Sequence, residues 1–382
     1  MKTFDVIVIG TGPSGASAAF KLAEGGLSVA LIEKEKLPRY KTCGGGLVFR
    51  GRKMLPFDLE QVIDTEFNSV ELYFKGQDLR FQSKRDFPVI SMVMRDKFDA
   101  LIVEHAKKLG VTLFEEHSLK DLQFDKNITI ITDKIELQAK FVIAADGALS
   151  KTAKLAGWNE DTRYLIPALE FEVEVKPEVF ERLKTEARFD VDFIPKGYAW
   201  SFPKKNHLSL GVASFKRSKL NLKKSYSDYL EFLGIKTEDI IIEHAHGFQI
   251  PVGSRKDGFV KNNVFLIGDA AGFADPITAE GISNAIYSGN LAAEAIVESK
   301  LEGTLAEKLY LEKLNEKLLP ELKTSALLAK FFYNQEKIRN ILFKKYGQRF
   351  SDYMTDIFAG DKSYPQDLMK KIRSKIKEMI FK

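Results

Sequence analysis

The segment FDVIVIGTGPSGASAAFKLAEGGLSVALIEKE, Phe4 to Glu35, leaves little choice of local fold. Its short apolar run, Phe4 to Ile9, suits a strand buried on both faces. Gly10, Gly12 and Gly15 follow at G-x-G-x-x-G spacing, with Pro13 and Ser14 between them. An alanine-rich helical stretch comes next, Gly25-Gly26 stops it, and Ser28 to Ile32 reads as a second strand. In such a βαβ unit the first glycine permits a tight turn and the second lets backbone approach a pyrophosphate. The third lets the helix pack closely on the strand, and the helix N-terminus faces the phosphates. Glu33 ends the second strand 18 residues after Gly15, with Lys34 beside it, where a carboxylate accepts from a ribose hydroxyl pair. The unit is expected to hold a dinucleotide.

The rest of the chain interrupts this unit. Residues 66–90 and 165–245 carry alternating strand-like runs such as VELYFKG and LEFEVEV. Between them RDKFDALIVEHAKKLG has helical spacing and a glycine stop at Gly110. KFVIAADGALS reads as a further buried strand ending in a turn at Asp146-Gly147. The expected organisation is a nucleotide-binding domain built from residues 1–65, 91–164 and 246–302. A β-rich substrate domain comprises residues 66–90 and 165–245, and a helical region runs from 303 to 382. A chain of 382 residues has room for about two or three such domains.

Charge and cysteine count exclude several classes. A net charge of +5 is too small to argue for nucleic-acid binding, and the basic excess belongs to the region after Gly303. A single cysteine excludes an intrachain disulfide and fits a reducing compartment. The start has no signal-peptide pattern, and no apolar run is long enough to span a bilayer. The expected location is cytoplasmic. The C-terminal QDLMKKIRSKIKEMIFK spaces Leu368, Ile372, Ile376, Met379 and Ile380 along one helical face, with lysines and Arg373 on the rest. Such a basic amphipathic helix either lies on the inner face of an anionic membrane or packs on its own domain. His244 and His246 stand two apart without a third ligand, so no metal site is expected.

Three further segments carry chemistry. In FLIGDAAGFADPITAEGI, Phe265 to Ile282, a strand delivers Gly268 and Asp269, and a new helix begins near Ala279-Glu280-Gly281. Asp269 suits a sugar or ribityl hydroxyl, and the helix N-terminus suits negative charge on a reduced isoalloxazine. PRYKTCGGGL, Pro38 to Leu47, runs the single cysteine, Cys43, into Gly44 and Gly45, as though another group must approach the backbone. In GYAWSFPK, Tyr198, Trp200 and Phe202 alternate, so a strand places all three on one face. They would wall either an apolar ligand or a sheet core. Lys204, past the strand's end, reads as solvated.

Together, the glycines with Glu33, RDKFDALI at Arg95, AADGALS at Asp146 and GDAAG at Asp269 resemble the FAD-dependent oxidoreductases of the aromatic-hydroxylase fold. PRYKTCGGG and GYAWSFPK are similar to segments of the geranylgeranyl reductase family within it. The resemblance covers essentially the whole chain. It implies an α/β fold: a Rossmann-like FAD-binding domain, a β-sheet-rich substrate domain and a helical C-terminal region. It implies FAD contacts by Arg95, Asp146, Gly268, Asp269, Pro276, Ile282 and the loops around Gly12, Gly147 and Gly281. It places Cys43 to Gly45 beside the flavin ring and Tyr198, Trp200 and Phe202 in the wall of a substrate cavity, with Cys43 and Tyr198 as candidate proton donors. One departure is Ala279, where the family often has glycine. The implied activity is reduction of isoprenoid C=C bonds. The electron donor would be NAD(P)H or a small redox protein, since no second glycine-rich βαβ fingerprint offers a nicotinamide domain. An aromatic or quinone-precursor monooxygenase and a redox-neutral prenyl or carotenoid cyclase are the competing activities.

Overall fold

The computed structural model describes residues 1–216, 220–367, 370 and 374. At its centre is an eight-stranded sheet whose parallel strands run in the order Val264–Leu266, Glu136–Ala144, Lys2–Ile9, Val29–Ile32 and Thr112–Phe114. Val6 to Ile9, Val29 to Ile32 and Phe141 to Ala144 are all buried, as parallel strands covered on both faces must be. The helix Pro13–Glu24 packs against Arg95–Lys108 and Ile282–Glu298 beside this sheet. Segments remote in sequence therefore converge on one βαβ frame.

A second, seven-stranded sheet stands beside it, ordered Ile240–Gly253, Tyr164–Val175, Leu208–Ser214, Gly197–Pro203, Ala187–Val191, Ser69–Phe74 and Leu79–Lys84. It is antiparallel except where Ala187–Val191 pairs with Ser69–Phe74. Its first strand runs straight through residue 246, so the sheet continues past the junction expected there. Alternation along the strands divides its faces. Phe171, Val173, Leu208, Leu210 and Val212 pack with Tyr226 and Tyr229 of the helix Leu222–Phe232. The opposite face carries Ala168, Glu170, Tyr198, Trp200 and Phe202 towards the βαβ frame. Three helices, Gly303–Lys317, Leu319–Asn334 and Glu336–Ala359, complete the fold. The amphipathic segment of residues 366–382 falls almost wholly outside the described residues. Among those described, no helix is long and apolar enough to cross a membrane.

Candidate active site

A cavity of about 750 Å³ lies between the two sheets. At one end it is lined by Gly10, Gly12, Pro13 and Ser14 where the first strand hands over to its helix. Gly10 has φ +102°, and a Cβ there would meet the Ala145 carbonyl oxygen at 2.5 Å. Gly15 is off the cavity wall, and its missing side chain lets the helix sit on the strand, since a Cβ would come within 2.0 Å of Gly10 O. A Cβ on Gly12 would meet only the Arg95 guanidinium, at 3.7 Å, so backbone is exposed to whatever fills the cavity. Glu33 and Lys34 line the same end. The Glu33 carboxylate accepts from Thr11 N at 3.2 Å and from the Thr11 hydroxyl, which fixes it at the strand tip.

Charged groups line the middle. Arg95 opens the helix Arg95–Lys108 and donates through Nε and Nη2 to Asp99 at 2.8 and 2.9 Å, one helical turn on. Arg39 grips the same carboxylate at 2.8 Å. Asp269 is pushed above the ordinary carboxylate range by burial, in spite of Lys41 and Arg95 nearby. Gly281, the N-cap of Ile282–Glu298, lies close to it, so a helix N-terminus and a carboxylate face the same space. Gly147 and Ile282 line the wall too. Asp146 lines it while accepting from Ser150 Oγ and from Thr152 N and Oγ1 at 2.9 Å, so its carboxylate also fastens the next helix. Gly268 and Pro276 stand behind the wall. Gly268 packs on Ser14, and Pro276 lies in the turn that Asp275 ties through Ile277 N and Thr278 N. Ala279 lines the cavity with φ +57°, a left-handed backbone that favours glycine.

At the far end Tyr198, Trp200 and Phe202 do share one face and line the cavity together, joined by Phe189. Gly211, directly opposite Trp200 on the neighbouring strand, makes room for the indole: a Cβ there would meet the ring at 2.1 Å. The Trp200 Nε1–H is buried against the bare backbone of Gly44, without a hydrogen-bond partner among the described residues. The Tyr198 hydroxyl donates to Thr278 O at 2.8 Å. Burial raises its pKa, so this phenol holds its proton.

The Cys43-Gly44-Gly45 loop crosses between these aromatics and the charged middle. Its glycines answer first to neighbouring protein. A Cβ on Gly44 would press on Trp200 and Phe202 at 3.0–3.1 Å, and Gly45 has φ +68° with Val93 O in the way. Cys43 is half-buried on the wall, its Sγ accepting from Gly45 N at 3.4 Å.

Two residues here were not legible as functional. Lys204, read from sequence as solvated, is 0% exposed: its Nζ donates to Gly44 O at 2.6 Å and Val93 O at 3.1 Å, pinning the glycine loop. The strand-ending proline led that reading astray, because the backbone at Gly44 and Val93, remote in sequence, covers the strand's end. Glu170 is 2% exposed on the cavity wall and accepts from the Cys43 amide at 3.1 Å. The run LEFEVEV reads as an alternating strand and no more, and the glycine loop apposed to it makes this face interior.

The model of the "FAD binding domain" family matches residues 3–310. A chloroplastic geranylgeranyl diphosphate reductase of Arabidopsis thaliana is 30% identical, covering 92% of this chain and 79% of that protein. The digeranylgeranylglycerophospholipid reductase of Methanosarcina acetivorans is 27% identical over 99% of this chain and 98% of its own. The crystal structure of a geranylgeranyl bacteriochlorophyll reductase-like protein from Thermoplasma acidophilum shares the fold, with TM-score 0.74, 24% identity and coverage of 94% and 92%. The cavity fits the cofactor of this family. Exposed backbone at Gly12 and a helix N-terminus suit a pyrophosphate, and Asp269 suits a hydroxyl-bearing chain. The chain thus belongs to the FAD-binding-domain family and is an FAD-dependent oxidoreductase of the geranylgeranyl reductase-like kind.

Proposed function

We propose that this oxidoreductase reduces C=C bonds of isoprenoid chains of the geranylgeranyl type, in isoprenoid-lipid or prenyl-quinone metabolism. The observation that carries the reading is the shared cavity: the aromatic face of Tyr198, Trp200 and Phe202 closes the same space whose other end is Gly12 and whose middle is Asp269. A smaller apolar cavity of about 70 Å³ shares Tyr198 and Phe189 with it, so the apolar lining continues behind these rings. The names of the Arabidopsis and Methanosarcina relatives point to the same substrate class.

Reduced FAD, when bound, supplies the hydride equivalent, and an outside donor of the nicotinamide or small redox-protein class restores it. The protein's own residues do the rest. Gly10, Gly12, Pro13, Ser14, Glu33 and Lys34 hold the nucleotide end, packed through Gly15. Arg95, Asp146, Gly147, Asp269 and the Ala279–Ile282 turn hold the middle, braced by Gly268 and Pro276. Cys43 to Gly45 set the alkene's approach, and the aromatic wall excludes water and orients the chain. Rings over the reacting bond also favour any positive character that develops on it.

The test incubates dithionite-reduced protein anaerobically with geranylgeranyl substrates of several headgroups. Mass spectrometry should show a pair of hydrogens gained per reduced bond, with matching flavin reoxidation. No reduction across the headgroups, or a product carrying added oxygen or unchanged in mass, would overturn the reading.

A further inference from the structure

Reduction of an alkene consumes a proton, and the Tyr198 hydroxyl is already committed to Thr278 O. We propose that Glu170 and Glu172 form a proton-sharing carboxylate pair that brings this proton from the hairpin at His207 to the cavity wall beside Cys43. The proposal rests on the reductase reading above and assigns its proton path. The two glutamates alternate on the strand Tyr164–Val175 and so share a face, and both are buried. Glu170 lines the cavity, held by Tyr40 Oη and Cys43 N at 3.1 Å each and by Ser209 Oγ at 3.2 Å. Glu172 shares its face, with its Oε2 3.0 Å from His207 Nε2, a close approach in which neither atom makes an aligned hydrogen bond, so a small turn of the imidazole completes the link. The His207 side chain is 18% exposed and gives the path its solvent end.

Two buried carboxylates two residues apart on one strand face resist ionising together, so the pair keeps one proton between them. Burial and the neighbouring Glu172 push Glu170 up to about 8, which leaves it the protonated member at neutral pH. Glu172, in spite of its burial, is held below the ordinary range by His207 and Lys204. The titratable groups around Glu170 are Tyr40 and Cys43 from the glycine loop, Glu172 on its own strand, and Lys204 beyond Pro203. His246 and His244 stand opposite Glu170 and Glu172 on the adjoining strand, and His246 stacks on Tyr40 at 4.1 Å. Lys204 gives its hydrogen bonds to carbonyls, so it tempers the pair's charge without taking its proton.

Each turnover breaks one π bond and forms two C–H bonds, one from the hydride equivalent and one from the proton. Glu170 releases its proton to the reacting end and becomes a carboxylate. Glu172 and His207 relay a replacement from solvent, and the outside two-electron donor closes the redox balance.

The experiment compares wild type with Glu170→Gln, Glu172→Gln and His207→Ala, each loaded with FAD and reduced by dithionite. Glu170→Gln keeps an acceptor for the Cys43 amide but holds no transferable proton. Its alkene-driven flavin reoxidation should fall roughly a hundredfold at neutral pH, with cofactor content and reduction by dithionite unchanged. The wild-type rate should fall as pH rises through about 8, because the active form is the acid, and Glu170→Gln should lose that limb. His207→Ala should be slowed and partly restored by added imidazole, which a purely structural histidine would not show. Difference infrared spectroscopy without substrate should show a protonated carboxyl band that titrates over the same window and vanishes in Glu170→Gln. Wild-type rate and an unchanged pH limb in Glu170→Gln would overturn the pair alone. A wild type that reduces no prenyl chain would instead overturn the reductase reading, whatever the infrared band shows.

Discussion

At the Gly10–Gly15 end of the cavity the wall comes from one strand, its turn and the helix that follows. At the Trp200 end it comes from a face of the antiparallel sheet, a glycine loop remote from it in sequence, and a lysine that joins the two. The first end is local in its spacing: Gly15 answers first to Gly10 O within the same unit, while Gly10 answers to Ala145 beyond the neighbouring strand and Gly12 faces only Arg95. The second end is a packing product. Trp200 points into the cavity because Gly211, on another strand, leaves it room, and Gly44 is bare because Trp200 and Phe202 press on it. Local architecture serves nucleotide binding, which is common to many activities. Assembled architecture serves substrate choice.

The sharpest way to break this contrast is at Gly15. Its Cβ would stand 2.0 Å from a backbone oxygen that cannot rotate away, so Gly15→Ala should cost about 3 kcal/mol. Chemical denaturation should show the loss, and purified protein should carry little FAD. Gly211→Ala meets the Trp200 ring at 2.1 Å and Leu169 O at 2.6 Å, and should cost about 2 kcal/mol. Here FAD content should survive while prenyl turnover falls as the indole is displaced. Equal loss of FAD in both variants would mean that the two ends are not separable. The smallest effect belongs to Ala279. Its left-handed conformation costs about 1–2 kcal/mol, and glycine's extra chain entropy costs about 0.5–1 kcal/mol. Ala279→Gly should therefore raise stability by roughly 0.5–1 kcal/mol, read as a higher denaturation midpoint at unchanged slope; a lower midpoint would contradict the strain at φ +57°.

The same division explains what could be read from the chain. Strand, turn, helix and the acidic strand tip of the βαβ unit were legible because residues close in sequence make them. The shared face of Tyr198, Trp200 and Phe202 was legible too, since alternation on a strand dictates it. Which side that face would meet was not. Glu170 and Glu172 sit among valines and phenylalanine in a pattern that usually marks a wet face, and Lys204 follows a proline that ends its strand. Glu170 and Lys204 are met by chain more than a hundred residues away in sequence, at Cys43 and Gly44, and Glu172 lies beside the hairpin at His207. The glycines of the Cys43 loop were noticed for the right property and a partial reason: their bareness accommodates Trp200, Phe202 and Val93 as well as the cavity.

By itself, then, the sequence determined a dinucleotide fold and the residues that frame its phosphate end, because backbone geometry and short-range periodicity settle those within a few turns of chain. Only the tertiary structure decided that a row of glutamates and a lysine would be interior. Burial is a property of what lies opposite a surface, and no residue carries that information about itself.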